Sequence, residues 1–362
     1  MTKFKMSRRA FAHALLAFPM LAQAQLVGNA GRVIVGGVKI KRVNHIGVLH
    51  VESGLADFTP IDFRPHDIVP DPRRGGCCWV IERRPGKRII YFDALDGEVK
   101  SHGVAFDHHF LSGHAVFSEG RLLVVENDMA TQTGVISVRD PETLMPLDAF
   151  STKGGAPHEL IVDKVRNILY VANGGVQNIP PKDGFFPVQG ERAVMRSSIA
   201  GFGLDGSYID EWILEDRFLS MRHLALDLDG VLGVGVQPAH AREDERFKAP
   251  CLAVLSNGKL ALARETCALG GYSGDVVASP DHSHGGFIVS ATRSNKLVWA
   301  KRSGEVEFVD INGFCAVAVD HGDVFAMTDS NRWFYKWGGV APLQAGVEFE
   351  WDNHAQFLGN RG

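Results

Sequence analysis

Residues 112–117 read Ser-Gly-His-Ala-Val-Phe, a turn residue and a histidine followed by an apolar run. Related segments recur along the chain at a spacing of roughly 40 to 50 residues, and most precede a turn and a second β-rich run. Such a period, with about four strands per unit, is typical of a β-propeller. The histidine is kept at residues 64–69, 156–161, 221–226 and 352–357 and is replaced at residues 273–278 and 313–318.

The number and order of these segments predict an all-β, seven-bladed β-propeller. The last segment begins at Asp352, too close to the C-terminus to have outer strands of its own. Residues 33–38, 46–51 and 57–63 offer candidate partners at the N-terminus. We therefore expect the N-terminal strands to pair with the C-terminal strand, which removes free sheet edges. A six-bladed ring with a capping hairpin remains an alternative.

The composition is that of a globular protein. The chain has 362 residues, of which 45% are hydrophobic and 22% charged, with 40 glycines and a net charge of −4. These values exclude a disordered chain, a collagen-like repeat and a multi-span membrane protein. The near-neutral charge gives no reason to expect a nucleic acid partner, and no apolar run after Leu26 is long enough to be an integral membrane segment.

The N-terminal segment has the features of an export signal. Ser7-Arg8-Arg9-Ala10-Phe11 forms a twin-arginine pattern, an apolar stretch follows, and Ala22-Gln23-Ala24 has the small-x-small cleavage pattern. We predict a twin-arginine signal peptide over residues 1–24 and a single propeller domain over residues 25–362, located in the periplasm. A general secretory signal or a retained anchor remains an alternative. In an oxidising compartment Cys251 and Cys267 could pair, which the sequence does not decide.

The repeated histidines indicate a ligand site. Equivalent positions on the innermost strands of a propeller lie at one height around the channel, so side chains facing the axis converge. Carboxylate, amide and guanidinium groups are expected at the same end, which predicts a polar funnel mouth. The predicted ligand-binding residues are His66, His114, Glu126, Asn127, His158, Glu159, Asn173, Arg222, His223, Gln237 and His354.

Three interpretations of these histidines stay open. In the first, His114, His158 and His223 ligate a transition metal such as iron, copper or zinc, with Glu126 or Glu159 as carboxylate partner. In the second, the funnel binds a small polar or anionic ligand. In the third, the histidines are structural and tie adjacent blades together. No catalytic motif is present, so a lactonase-like or metal-dependent enzyme and a protein-interaction scaffold remain alternatives to a binding protein.

With these segments assembled, the chain resembles the exported bacterial family known as domain of unknown function 1513. The resemblance rests on residues 113–118, 126–128, 157–160, 171–175 and 222–225. It implies a seven-bladed propeller with a twin-arginine signal and no established activity. Genes of this family often neighbour those of periplasmic imelysin-like iron-uptake proteins, which implies such proteins as partners. The resulting expectation is a periplasmic binding protein in iron or other metal handling.

Overall fold

The short apolar runs of the repeat form β-strands throughout the described chain. A computed structural model of the protein describes residues 31–176, 195–320, 322–329, 332–335, 339–342 and 347–359. The predicted signal peptide, residues 1–24, lies outside them. The strands form four-stranded antiparallel sheets, in which consecutive strands are hydrogen-bonded neighbours.

Seven such sheets are formed by the described residues. The first contains β1 (Val33–Ile40), β2 (Val43–His50), β3 (Ala56–Pro60) and β28 (Glu350–Leu358); the second β4 (Pro65–Pro70), β5 (Cys77–Glu82), β6 (Arg88–Asp93) and β7 (Glu98–Val104); the third β8 (His109–Ser118), β9 (Arg121–Asp128), β10 (Gly134–Arg139) and β11 (Pro146–Ser151); the fourth β12 (Pro157–Asp163), β13 (Ile168–Asn173), β14 (Ser198–Gly203) and β15 (Tyr208–Trp212). The fifth contains β16 (Leu219–Leu226), β17 (Leu232–Pro238), β18 (Leu252–Ser256) and β19 (Lys259–Leu262); the sixth β20 (Val276–Ala278), β21 (Phe287–Ala291), β22 (Lys296–Ala300) and β23 (Val306–Asp310); the seventh β24 (Phe314–Asp320), β25 (Asp323–Thr328), β26 (Arg332–Tyr335) and β27 (Gly339–Pro342).

The innermost strands of these sheets surround one axis. Each contacts the innermost strand of the next sheet, from β4 through β8, β12, β16, β20 and β24 to β28, which contacts β4 again. The prediction of an all-β propeller is therefore confirmed. The C-terminal strand β28 is the innermost strand of the sheet begun by β1, with Val33 opposite Leu358 and Gly36 opposite Ala355. N-terminal and C-terminal segments thus close the ring by ordinary antiparallel pairing.

The hydrophobic core lies between neighbouring sheets. The buried side chains of the described residues form clusters, each of which joins two adjacent sheets. Between the second and third sheets, for example, the Trp79 ring stacks on Phe117 with centroids 5.1 Å apart, and its indole N–H donates to the Pro141 carbonyl. Both faces of most sheets are covered, which explains why the inner strands are almost continuously apolar.

The pairing of β1 with the C-terminal strand leads to a prediction about stability. Ile34 is fully buried between β28 and the seventh sheet, so Ile34→Ala should lower the free energy of unfolding by about 2–5 kcal/mol. Val43 begins the neighbouring strand and is 51% exposed, so Val43→Ala should change it by about 0.5 kcal/mol or less. Denaturant unfolding of both variants measures the difference. Equal, small effects would mean that β1 contributes little to the core.

Helices are rare in the described part of the chain. It contains one short α-helix, α1 (Glu243–Lys248), and two 3₁₀ turns, Arg264–Thr266 and Thr292–Ser294. No helix within these residues is long and apolar enough to cross a bilayer.

Candidate functional site

A β-bulge interrupts the innermost strand at most of the histidine positions. The pairing with the second strand shifts at His66 in β4, at His114 in β8 and at His158 in β12. In β16 the shift falls on Arg222, and in β28 it spans the segment that contains His354. A bulge bends the strand and re-aims the side chain of the extra residue. The same local irregularity therefore directs successive side chains toward the propeller axis.

The position of Gly113, next to the ring of His66, requires a glycine. Gly113 has φ +107°, in the region that side chains rarely adopt. A Cβ atom at Gly113 would lie 2.5 Å from Cδ2 of His66. The Gly-His pair of the third sheet thus allows the ring of the preceding sheet to approach closely.

The five histidines form one buried cluster. The His66 ring centroid lies 4.8 Å from that of His114 and 4.5 Å from that of His354. The His158 ring lies 4.7 Å from both His114 and His223, and the His223 ring lies 5.1 Å from His354. All five residues are 4% exposed or less. Strands from five different sheets therefore bring their imidazoles into mutual contact.

Carboxylates hold one nitrogen of three of these rings. Oδ2 of Asp67 lies 3.4 Å from Nδ1 of His114, and Oε2 of Glu159 lies 3.1 Å from Nδ1 of His223. Each of these carboxylates follows a histidine of the preceding sheet, so the contact also ties neighbouring sheets together. A carboxylate at Nδ1 fixes the Nδ1–H tautomer and leaves the Nε2 lone pair for another partner.

The third ring of this kind belongs to the closing strand. Nδ1 of His354 lies 3.1 Å from Oδ2 of Asp275. Asp275 occupies the repeat position that holds a histidine in other sheets. At this position the chain therefore has a carboxylate in place of an imidazole, and the carboxylate orients the ring of His354. The carboxylate-backed set is therefore His114, His223 and His354.

His158 has the opposite arrangement. Nη1 of Arg84 lies 3.0 Å from its Nδ1, and a guanidinium can only donate. Nδ1 of His158 must therefore accept, which leaves the proton on Nε2. This Nε2 lies 3.4 Å from Nε2 of His223, so it can donate to the lone pair that the Glu159 contact leaves free.

Several imidazole nitrogens in the cluster have no hydrogen-bond partner within the part of the chain that the structure describes. They are Nδ1 and Nε2 of His66, Nε2 of His114 and Nε2 of His354, all of them buried. Buried polar atoms are normally satisfied, and each unsatisfied one costs about 1–3 kcal/mol. Four such atoms therefore lie together within the cluster.

Burial and charge set the protonation of the cluster. Burial lowers the pKa of His66, His158 and His223 well below the usual histidine value, and the neighbouring cations and imidazoles act in the same direction. Burial alone would lower the pKa of His354, but the neighbouring Asp275 carboxylate raises the pKa of this ring above the usual histidine value. Burial also raises the pKa of Glu159 well above its usual range. Most rings of the cluster are thus neutral at pH 7, the form that ligates metals.

The spacing of the rings fits one metal ion. Imidazole nitrogens at about 2.0–2.1 Å from a tetrahedral ion place the ring centroids roughly 5 Å apart. His354 lies 4.9 Å from His114 and 5.1 Å from His223, and His114 lies 5.7 Å from His223. Among the described residues, three sets have potential ligand atoms that all lie within 4.8 Å of one another, which are His66–His114–His354, His114–His158–His223 and His223–Asp275–His354. His114, His223 and His354 do not form one of these sets, so their nitrogens would have to move closer together to hold one ion.

The predicted triad of His114, His158 and His223 is thus brought together, but the hydrogen bonds distinguish its members. His158 uses Nδ1 to accept from Arg84, whereas His354 has Nδ1 on a carboxylate and Nε2 unpartnered. The hydrogen-bond geometry, with Nδ1 on a carboxylate and Nε2 without a partner among the described residues, therefore favours His354 over His158 as the third metal ligand.

Glu126 has a different environment from the one the sequence predicts. Its carboxylate is fully buried, and Oε1 accepts from Nη2 of Arg139 and from the hydroxyl of Ser137, both at 2.6 Å. Oε2 accepts from the backbone N–H of Phe106. These partners lie within the third sheet and the loop before it, so Glu126 does not join the carboxylates that hold the histidines.

The predicted amides also bind within the scaffold. Asn127 donates to the hydroxyl of Ser112, and Asn173 donates to the carbonyl of Thr152. Gln237 donates to the carbonyl of Ser273. These hydrogen bonds connect neighbouring strands and sheets, and none of them reaches an imidazole of the cluster.

The residue that sequence reasoning missed is Arg84. It follows β5 in the pair Arg83-Arg84, so the signal was a double cation at the end of a strand whose turn faces the cluster. Asp67 and Asp275 are likewise absent from the residues predicted for the site. The structure holds Cys251 and Cys267 as separate thiols, and burial raises the pKa of Cys251 to about 11.

Fold and site together define a β-propeller protein with a histidine-lined centre. Residues 59–358 match the family described as "Protein of unknown function (DUF1513)". The chain belongs to this family, which confirms the resemblance inferred from the sequence. No curated protein matches the chain.

Solved structures share the fold at low sequence identity. A 6-phosphogluconolactonase candidate from Bacteroides fragilis is similar at a TM-score of 0.59 and 10% identity, covering 93% of this chain and 100% of its own. A chain of a nidogen/laminin complex is similar at a TM-score of 0.51 and 11% identity, covering 92% of this chain and 100% of its own. At such identities the likeness shows the fold alone.

Proposed function

We propose that the protein binds one transition-metal ion at the centre of the propeller, through Nε2 of His114, His223 and His354. At His223 the ion would replace the Nε2–H of His158 as the partner of the lone pair. The observation that carries the proposal is that these rings combine an orienting carboxylate on one nitrogen with a second nitrogen that is available to a ligand. A carboxylate holds Nδ1 of each, and Nε2 of His114 and of His354 is buried without a partner. Metal-bound histidines typically have this outer carboxylate, which orients the ring and increases its basicity.

A purely structural role accounts for only half of this arrangement. The Nδ1–carboxylate contacts would tie neighbouring sheets with or without an ion. The unpartnered nitrogens would then cost about 1–3 kcal/mol each, with no compensating interaction. A cation that accepts their lone pairs removes this cost and also offsets the negative charge of Asp67 and Asp275.

The donor set favours ions that prefer imidazole. Copper, zinc, iron and nickel bind neutral imidazole well, whereas magnesium and calcium prefer oxygen ligands. His66 lies within 4.8 Å of two of the three proposed ligands, measured between ring centroids, and could supply a fourth nitrogen.

The setting of this role is also part of the proposal. We propose that the seven sheets act as the blades of one ring, and that the chain is exported by the twin-arginine route and works in the periplasm. The twin-arginine pattern at Arg8 and Arg9 and the Ala22-Gln23-Ala24 site support export. A role in iron or other metal handling, with imelysin-like partners, rests on the family resemblance.

Metal analysis of protein purified from the periplasm tests the proposal. We expect a single bound ion per chain, removal of that ion by a chelator, and a higher melting temperature when zinc, copper or iron is restored, because a ligand of the folded state stabilises it. His50 provides a matched control, since its Nε2 lies 2.9 Å from Asp57 in an exposed pair. His50→Ala should keep the metal. A metal-free wild type that gains no stability from added ions would contradict the proposal.

The orienting carboxylate gives a sharper prediction. Asp67→Asn keeps the size of the side chain but removes the charge at Nδ1 of His114, so metal affinity should fall about 10- to 100-fold. Asp57→Asn removes the equivalent carboxylate from the exposed His50 pair and should leave affinity unchanged. Competition titration against a chromophoric chelator measures both. Equal affinities in the two variants would mean that Asp67 only ties the sheets.

A further inference from the structure

Arg222 is a buried cation that has no counter-ion among the described residues. It is the bulged residue of β16 and only 4% exposed. Its Nε and Nη1 have no hydrogen-bond partner, and it forms no ion pair with a carboxylate of the described chain. A buried charge without a partner is strongly unfavourable. The Arg222 side chain, which precedes His223, is therefore expected to bind an anionic group.

The other fully buried guanidinium shows how this fold satisfies such a group. Arg139 donates to Glu126, to the hydroxyl of Ser137 and to the carbonyl of Leu144, at distances of 2.6–3.0 Å. Arg222 has no comparable set. The contrast lies in the surroundings, because both residues have the same donors and similar burial.

A second guanidinium, that of Arg84, interacts electrostatically with the first. Arg84 donates to Nδ1 of His158 and is partly exposed, and it forms no ion pair in the described residues. Burial lowers the pKa of Arg84, and the charge of Arg222 lowers it further. Burial lowers the pKa of Arg222 to about 10, so the Arg222 guanidinium remains cationic at neutral pH.

Room for the Arg222 guanidinium depends on a glycine. A Cβ atom at Gly174 would lie 2.9 Å from Cζ and 3.0 Å from Nε of Arg222. The carbonyl of Gly174 accepts from the hydroxyl of Ser220, and a backbone carbonyl carries no net charge that could balance the cation. Gly174 thus provides space without neutralising the charge.

We infer that a small oxyanion, with the chemistry of a carboxylate or a phosphate, binds Arg222 and Arg84 at the edge of the histidine cluster. A planar guanidinium donates to two oxygens of such a group at once. The low exposure of Arg222 restricts the ligand to a small molecule or a small terminal group. This inference goes beyond the proposed metal site and does not depend on it.

The two sites are connected through one histidine. Arg84 fixes Nδ1 of His158 as an acceptor, and Nε2 of His158 adjoins Nε2 of His223. If a bound anion moved the Arg84 guanidinium away, Nδ1 of His158 would no longer be held as an acceptor. The proton of His158 could then leave Nε2, which changes the hydrogen bond to the proposed metal ligand His223. Anion and metal affinities should therefore depend on each other, and by linkage the dependence is reciprocal.

Isothermal titration of the mature chain with inorganic phosphate, sulfate, acetate or succinate tests the inference, with chloride at equal ionic strength as the reference. The titrations are made on chelator-treated protein and repeated after metal addition, so a failure of the metal proposal is recorded separately. We expect at least one oxyanion to bind and to raise the melting temperature. Binding by phosphate and sulfate, or by the carboxylates, identifies the chemistry.

The matched variants are Arg222→Gln and Arg242→Gln, which remove the same charge. Arg242 pairs with Asp244 on the exposed helix region, so its variant should bind the anion like the wild type. Arg222→Gln should lose at least tenfold in affinity and melt no lower than the wild type in anion-free buffer. If this variant does not fold, Arg222→Lys and Gly174→Ala are used, and both should weaken binding. The inference would be overturned if no oxyanion bound the wild type more tightly than chloride does, or if the Arg222 variants bound the anion as tightly as the wild type.

Discussion

Replacing His223 by alanine is expected to lower metal affinity by more than ~100-fold. The loss should exceed the 10- to 100-fold change typical of an orienting residue, because a direct ligand is removed. His223 is also central to the cluster, since it contacts His158 through Nε2 and Glu159 through Nδ1. Its removal leaves the buried Glu159 carboxylate without its imidazole partner. Chelator competition on the folded variant measures the affinity.

Two comparisons give this result its meaning. Glu159→Gln retains the ring at position 223 and should show the smaller loss, whereas His50→Ala, in the exposed His50–Asp57 pair, should show none. The circular dichroism spectrum of each variant checks that the sheets are intact. A folded His223→Ala variant with the affinity of the wild type would remove His223 from the proposed ligand set.

Replacing Glu126 by alanine is expected to lower the free energy of unfolding by about 3–5 kcal/mol, because it leaves a buried charge unpaired. Glu126 and Arg139 are both fully buried and 2.6 Å apart. The surface pair Arg74–Glu142 provides the control, since its members are about half exposed. Glu142→Ala should cost about 1 kcal/mol or less. Denaturant unfolding of the metal-free proteins gives both values.

The same variant separates the structural role from the predicted ligand role. Glu126→Ala should keep the metal affinity of the wild type under conditions in which it is folded. Replacing Glu126 and Arg139 together, by leucine and methionine, should recover much of the lost stability, because an apolar pair carries no desolvation cost. An unchanged unfolding free energy together with weaker metal binding would return Glu126 to the site.

The propeller class could be predicted because its signal is repeated. Each sheet needs an apolar inner strand between turns, so one weak pattern recurs along the chain, and Ser112-Gly113-His114 is its clearest instance. Closure could also be predicted, since an innermost strand at the C-terminus must find its partners elsewhere. The pairing of β28 with β1 provides them.

The convergence of the histidines could be predicted from the same periodicity, but their partners could not. Asp67 serves His114 in the next sheet, and Asp275 serves His354 across the ring. These pairings depend on the offset between sheets and on the bulges in the inner strands. Neither property leaves a pattern within a single repeat. Arg84 was missed for the same reason.

Glu126 shows the reverse case. Its position near the end of β9 predicted a place at the funnel mouth. Val135 is its cross-strand partner, and Ser137 and Arg139 follow at alternate positions on the same face of β10. The carboxylate therefore meets a buried guanidinium from its own sheet, which the sequence alone did not distinguish from a partner on the axis.

X-ray absorption spectroscopy of the metal-loaded protein tests the central claim most directly. We expect a nitrogen shell at about 2.0–2.1 Å with the outer scattering of at least three imidazole rings, and loss of one ring in His223→Ala. A shell of oxygen ligands without imidazole scattering, or a spectrum unchanged by removal of His223, would contradict a metal centre built by the histidines of the innermost strands.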